Sequence, residues 1–177
     1  MRMKLSLFAY LVLLVWVVLW KLEPPFVGQP GVSNVKLVPF ISTDAFGRSA
    51  PVEVFINLLL FLPLGVFLGV LARHLSVLSR VAVSASTSLV LECTQFVIGI
   101  GAFDVTDLIT NTAGAALGLL FVQLMLRYAA SAQRARRNLT TWCMIGVGCA
   151  WLAAAAFIWL PLHFVQPDVG PLAARFR

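Results

Sequence analysis

The stretch FDVTDLITNTAG, residues 103–114, sets Asp104, Asp107 and Asn111 directly before a membrane-grade apolar run. On a helix, positions three and four apart share a face. Asp104, Asp107, Asn111, Gly114 and Gly118 therefore form one stripe, with carboxylates first, an amide below them, then two glycines. Such a set can hold a divalent cation, orient a polar headgroup or move a proton. A second stripe matches it: Glu53, Asn57 and Phe61 are four apart, with Gly65 and Gly69 further on. A third segment offers Glu92 and Gln95, with Ser84 and Ser88 on its earlier turns. Glu92 is the most informative single residue. An ionisable group at the centre of a span costs about 2.5–3.5 kcal/mol or more, so it faces the protein interior and needs a partner.

The elements that must position these groups are membrane helices. Apolar residues make up 60% of the 177-residue chain and mean hydropathy is +0.95, well beyond a water-soluble domain. Five hydrophobic stretches cover about 5–22, 54–72, 77–100, 106–127 and 139–160, near the roughly 20 residues that a span requires. The fold expected is an all-α polytopic bundle of five spans, one integral membrane domain over 1–177. The basic start MRMK resembles the n-region of a signal peptide, but the apolar run is long and no small-residue cleavage site follows, so an uncleaved first helix is expected. With the N-terminus inside, eight of the 13 Lys and Arg residues fall on the cytoplasmic side, including RARR at 134–137. The positive-inside rule then gives N-terminus in and C-terminus out. All seven acids fall at or near the outer face in that arrangement, Glu92 about two turns below it.

Two readings of the polar groups stand side by side. One is an amide–carboxyl network that fixes helix packing. The other is an acidic pocket at the outer leaflet that binds or modifies a ligand. Several acids together repel one another, and a bound cation, a basic headgroup or a protein cation relieves this. Arg48, in the first outer loop, is the candidate protein partner. The glycines admit a close helix neighbour, and Pro63 interrupts the hydrogen-bond ladder of its helix. Cys93, Cys143 and Cys149 lie in apolar runs without CxxC spacing and read as small buried hydrophobes. Basic residues near segment ends, not interleaved with aromatics, argue against nucleic acid.

The segments NLLLFLPLGVFLG from Asn57, ECTQ from Glu92 and FDVTDLITNTAGAALG from Phe103 resemble the VanZ-like membrane family. KLVPF at 36–40 resembles its outer-loop element. The resemblance covers about 35–121. It implies that Asn57, Phe61, Pro63, Gly65, Glu92, Gln95, Asp104, Asp107, Asn111 and Gly114 are family motif positions. One departure matters: where the family commonly has arginine, three residues before the first aspartate of its third motif, this chain has Gly101. If that arginine pairs with the acids in the family, this chain uses another cation, Arg48 being one choice, or leaves the acids freer. The resemblance also implies a cell-envelope role linked to resistance to teicoplanin and related lipoglycopeptides.

The expectation is a multi-pass protein of the bacterial inner membrane whose acidic site faces outward. It binds, and in its stricter form modifies, an amphiphile: an envelope lipid, a lipid-linked precursor or a lipoglycopeptide. Glu92 is the candidate acid or base. Asp104 and Asp107 orient a headgroup or hold a divalent cation, while Asn57, Gln95, Asn111 and Arg48 contact substrate. Phe61, Pro63, Gly65, Gly69, Gly114 and Gly118 shape the surrounding structure. A non-catalytic scaffold and a small ion-coupled transporter are the alternatives.

Overall fold

The computed structural model describes residues 2–28, 35–41 and 51–159. Five helices carry almost all of it: α1 (Arg2–Trp20), α2 (Pro51–Leu71), α3 (Val77–Val97), α4 (Val105–Tyr128) and α5 (Ala132–Trp159). All five are long and apolar enough to cross a membrane. Their lipid-facing sides remain apolar and uncovered, as at Leu78, Val90, Val97 and Leu152. Cys93 and Cys149 share that exposure, so they are not the buried hydrophobes expected, and Cys143 is half-buried.

Local chemistry sets the helix ends. Ser76 caps α3 by accepting the Ser79 amide at 3.0 Å. Past the end of α3, Gly99 takes a left-handed φ of 70°, the conformation in which glycine ends a helix without a Cβ penalty. The fifth helix starts seven residues ahead of position 139, because good helix formers such as Ala, Gln and Arg fill 132–137. The RARR segment thus forms the opening turns of α5 instead of a loop.

Successive helices reverse direction, so α1, α3 and α5 run one way while α2 and α4 run the other. The parallel α2–α4 pair makes the most extensive contact in the bundle. Its closeness depends on glycine. A Cβ on Gly114 would fall on the Leu58 carbonyl, one on Gly118 on the Leu62 carbonyl, and one on Gly65 on the Ala115 carbonyl. Phe61 and Phe67 fill the adjacent core with Leu14 of α1. In the turn that Pro63 disturbs, the Leu60 carbonyl takes a 2.6 Å hydrogen bond from the Tyr10 hydroxyl. That carbonyl is one residue on from the Leu59 carbonyl, which Pro63 has no N–H to serve, so a neighbouring helix braces the turn beside the interrupted bond.

Charge is sorted by end. Among the described residues, every arginine lies where α1, α3 and α5 begin and α2 and α4 finish. The described acids lie in the opposite half, with Glu92 five residues, about 8 Å, before the end of α3. One element departs from a purely helical plan. A two-residue strand β1 (Val35–Lys36) pairs in parallel with β2 (Phe103–Asp104), Lys36 opposite Asp104. This pairing fixes the segment 35–41 against the start of α4.

Candidate functional site

Asp104 is the N-cap of α4, with extended backbone (φ −116°, ψ 116°), and its Oδ1 accepts the Thr106 amide at 2.7 Å. A side-chain oxygen there satisfies one of the amides that a helix start leaves without an internal partner. Its other oxygen, Oδ2, stands 3.1 Å from Lys36 Nζ. Its backbone amide donates to Glu92 Oε2 at 3.0 Å. One residue therefore joins the β1 segment, α3 and α4. Thr106 adds a second tie, its Oγ1 accepting the Phe40 amide at 3.1 Å.

Glu92 is only 1% exposed and Lys36 5%, so both are held away from solvent and lipid. Asp107, one turn after the cap, accepts from Asn57 Nδ2 at 2.7 Å, which brings α2 into the same cluster. One turn deeper, Asn111 Nδ2 donates to Ser88 Oγ at 2.9 Å. Asn111 is 2% exposed and its Oδ1 has no hydrogen-bond partner. Turning the amide over would only exchange the orphan, because Ser88 can face one of its two polar atoms.

The structure thus brings together Glu92, Asp104, Asp107 and Asn57, with Asn111 beneath them. Gln95 is elsewhere: its Nε2 donates to the Val18 carbonyl of α1 at 2.9 Å. Arg48 lies outside the described residues. A cation does stand at the acids, Lys36, which the sequence showed only as part of KLVPF. A lysine preceding an apolar run that must fold back onto the bundle was the available signal. Ser88 was visible below Glu92, but bonding to its own helix was the default for it. Ser84 follows that default, donating to the Arg80 carbonyl at 3.1 Å, whereas Ser88 reaches across to α4. Gly101 packs beside Gln95, not beside the acids; a Cβ there would lie 3.5 Å from Gln95 Cβ.

The donor set fits a metal ion poorly. Both Asp104 carboxylate oxygens are already engaged. Among the described residues no group of three or more His, Cys, Asp or Glu is arranged to hold one. Phe61, Gly65, Gly69, Gly114 and Gly118 are buried. Pro63 lines a separate apolar cavity of about 410 Å³ between α1, α2, α4 and α5, to which no acid contributes.

The model of the VanZ/LLP1 family matches residues 7–127. That interval contains every member of the cluster and nearly all of the first four helices. Protein VanZ of Enterococcus faecium is 38% identical over 112 residues, which cover 62% of this chain and 66% of that protein. No solved structure matches.

Proposed function

Because this chain belongs to the VanZ/LLP1 family, we propose that its lysine–carboxylate–amide centre binds the polar end of an envelope amphiphile. The site of action is the outer face of the bacterial cytoplasmic membrane. The observation that carries the reading is spare acceptor capacity at the buried Glu92 and the half-buried Asp107. Among the described residues Glu92 accepts one hydrogen bond, from the Asp104 backbone amide, and Asp107 one, from the Asn57 side chain, although a carboxylate can accept about four. Charged acceptors left under-satisfied within a span are costly. A ligand carrying N–H, O–H or ammonium donors relieves that cost. The basic end of the bundle belongs in the cytoplasm by the positive-inside rule, which turns the acidic end outward, toward lipids, lipid-linked precursors and lipoglycopeptides. The family resemblance makes teicoplanin the first lipoglycopeptide to try. In the stricter, catalytic form of this reading, Glu92 passes the proton while Asn57 and Asp107 hold the headgroup.

A second reading, a scaffold without ligand, is favoured by the ties of Asp104 to α3 through its amide and to β1 and its own helix through its carboxylate. One experiment separates the two. Purified wild type and Glu92→Gln are incubated with bacterial lipid extract and, separately, with teicoplanin, and bound and product species are recorded by mass spectrometry. A product made by wild type alone establishes catalysis. A lipid class or teicoplanin retained by wild type and released by the variant establishes binding. Identical behaviour of the two proteins removes the ligand from the account and leaves the scaffold.

A further inference from the structure

We propose that the opposite, basic end of the bundle binds an anionic phospholipid, with one acyl chain in the cavity between α1, α2, α4 and α5 and its phosphate at the start of α5. The cavity holds about 410 Å³ and its walls include Tyr10, Pro63, Phe67 and Leu139. Its one hydroxyl, that of Tyr10, is turned to the Leu60 carbonyl, so the space is an apolar one. On α5 the wall residues Leu139, Cys143, Gly146 and Ala150 follow three- and four-residue steps along one face. Arg136, half-buried, is the next position on that face toward the helix start, flanked by exposed Arg134 and Arg137.

The dimensions suit an acyl chain. From Leu139 to Ala150 the helix rises about 16 Å, half of the roughly 30 Å hydrocarbon core. On α1 the wall continues to Val17, three residues before that helix ends, so the cavity passes the midplane and is long enough for an acyl chain whose headgroup sits at Arg136. The charge matches as well. Among the described residues the acids lie in the other half of the bundle, and Arg127 at the end of α4 and Arg73 after α2 add to the same basic end. Arginines at a membrane surface attract anionic headgroups. Nothing of the protein competes for part of the space: a Cβ on Gly146 would meet no atom within 4 Å. This site is independent of the centre around Glu92 and of the function proposed for it.

Full-chain protein is equilibrated in detergent with phosphatidylglycerol or phosphatidylcholine, and the retained lipid is counted by native mass spectrometry. Wild type is expected to retain phosphatidylglycerol over phosphatidylcholine by about fivefold or more. Arg136→Gln lowers retention of phosphatidylglycerol toward that of phosphatidylcholine. Gly146→Phe fills the cavity and abolishes retention of both. Gly148→Phe, on α5 but outside the cavity and equally unobstructed, retains lipid like wild type. Equal retention of the two lipids by wild type, or undiminished retention by Gly146→Phe, overturns the proposal. A second measurement covers a variant that fails to fold. Trp142 lines the cavity, so phosphatidylglycerol with brominated acyl chains quenches wild type more than brominated phosphatidylcholine does, and Trp142→Phe removes the difference. Equal quenching by the two lipids also overturns it.

Discussion

The pair formed by Lys36 and Asp104 offers a quantitative test of how the polar centre is held. At 3.1 Å and an effective dielectric constant near 20, the gross attraction is about 5 kcal/mol. Desolvation offsets part of it, since Lys36 is almost fully buried. Removing one partner of a fully buried pair costs about 3–5 kcal/mol. Asp104 keeps 18% of its side chain exposed, and water reaching it should lower that cost to about 2–4 kcal/mol for Lys36→Met. Asp104→Asn retains an oxygen for the Thr106 amide, so the helix cap survives while the ion pair is lost. The two substitutions and their combination form a double-mutant cycle, which cancels whatever else either side chain touches. A coupling energy of about 2–3 kcal/mol is expected. Reversible unfolding in mixed micelles, followed by tryptophan fluorescence, reads it. A coupling below about 0.5 kcal/mol, the value of an exposed surface pair, would refute the claim that β1 pairing buries a working ion pair.

Further outcomes follow from neighbouring geometry. Gly114→Ala and Gly118→Ala, whose Cβ atoms would strike backbone carbonyls of α2, should each lose about 1–3 kcal/mol in the same unfolding assay. Gly146→Ala, facing open space, should be neutral or gain up to about 1 kcal/mol from helix propensity. Ser88→Ala leaves both polar ends of the Asn111 side chain without a partner and should cost about 1–3 kcal/mol; a cost near zero would mean that the amide finds water. Glu92→Leu should destabilise by about 1–3 kcal/mol by orphaning the Asp104 amide, whereas Glu92→Gln keeps an acceptor there and should unfold close to wild type. In a cysteine-free background, a cysteine at Ser131 should resist a membrane-impermeant thiol reagent in spheroplasts, and one at Glu23 should react. The reverse pattern would invert the orientation taken from the positive-inside rule.

The helices were legible because a run of about 20 apolar residues has few alternatives in a chain this hydrophobic. The convergence of Asn57, Asp107 and Asn111 was also legible, because each stripe repeats every three or four residues on a helix that packs closely through glycine. Gln95 was harder. Three residues from Glu92, it lies about 60° around α3, and that rotation is enough to aim one side chain at α4 and the other at α1. Lys36 was not legible at all as a partner of Asp104. No helical periodicity links the two, and their contact arises from a strand pairing of two residues on each side. The opening turns of α5 were misjudged for a different reason: arginine is polar enough to end an apolar run yet favourable within a helix.

The strand pairing also bears on how the protein is made. Lys36 leaves the ribosome 68 residues (104 minus 36) before its partner Asp104. At about 5–20 residues per second, the lysine waits several seconds while α2 and α3 are synthesised. Until then segment 35–41 has neither its strand neighbour nor its ion pair, and it can seat only when the start of α4 arrives. Assembly of the polar centre is thus a late event that records the successful placement of three earlier spans. A chain in which α2 or α3 were misinserted would leave Lys36, Glu92 and Asp104 stranded on different sides of the bilayer, as a polar mark of the failed molecule.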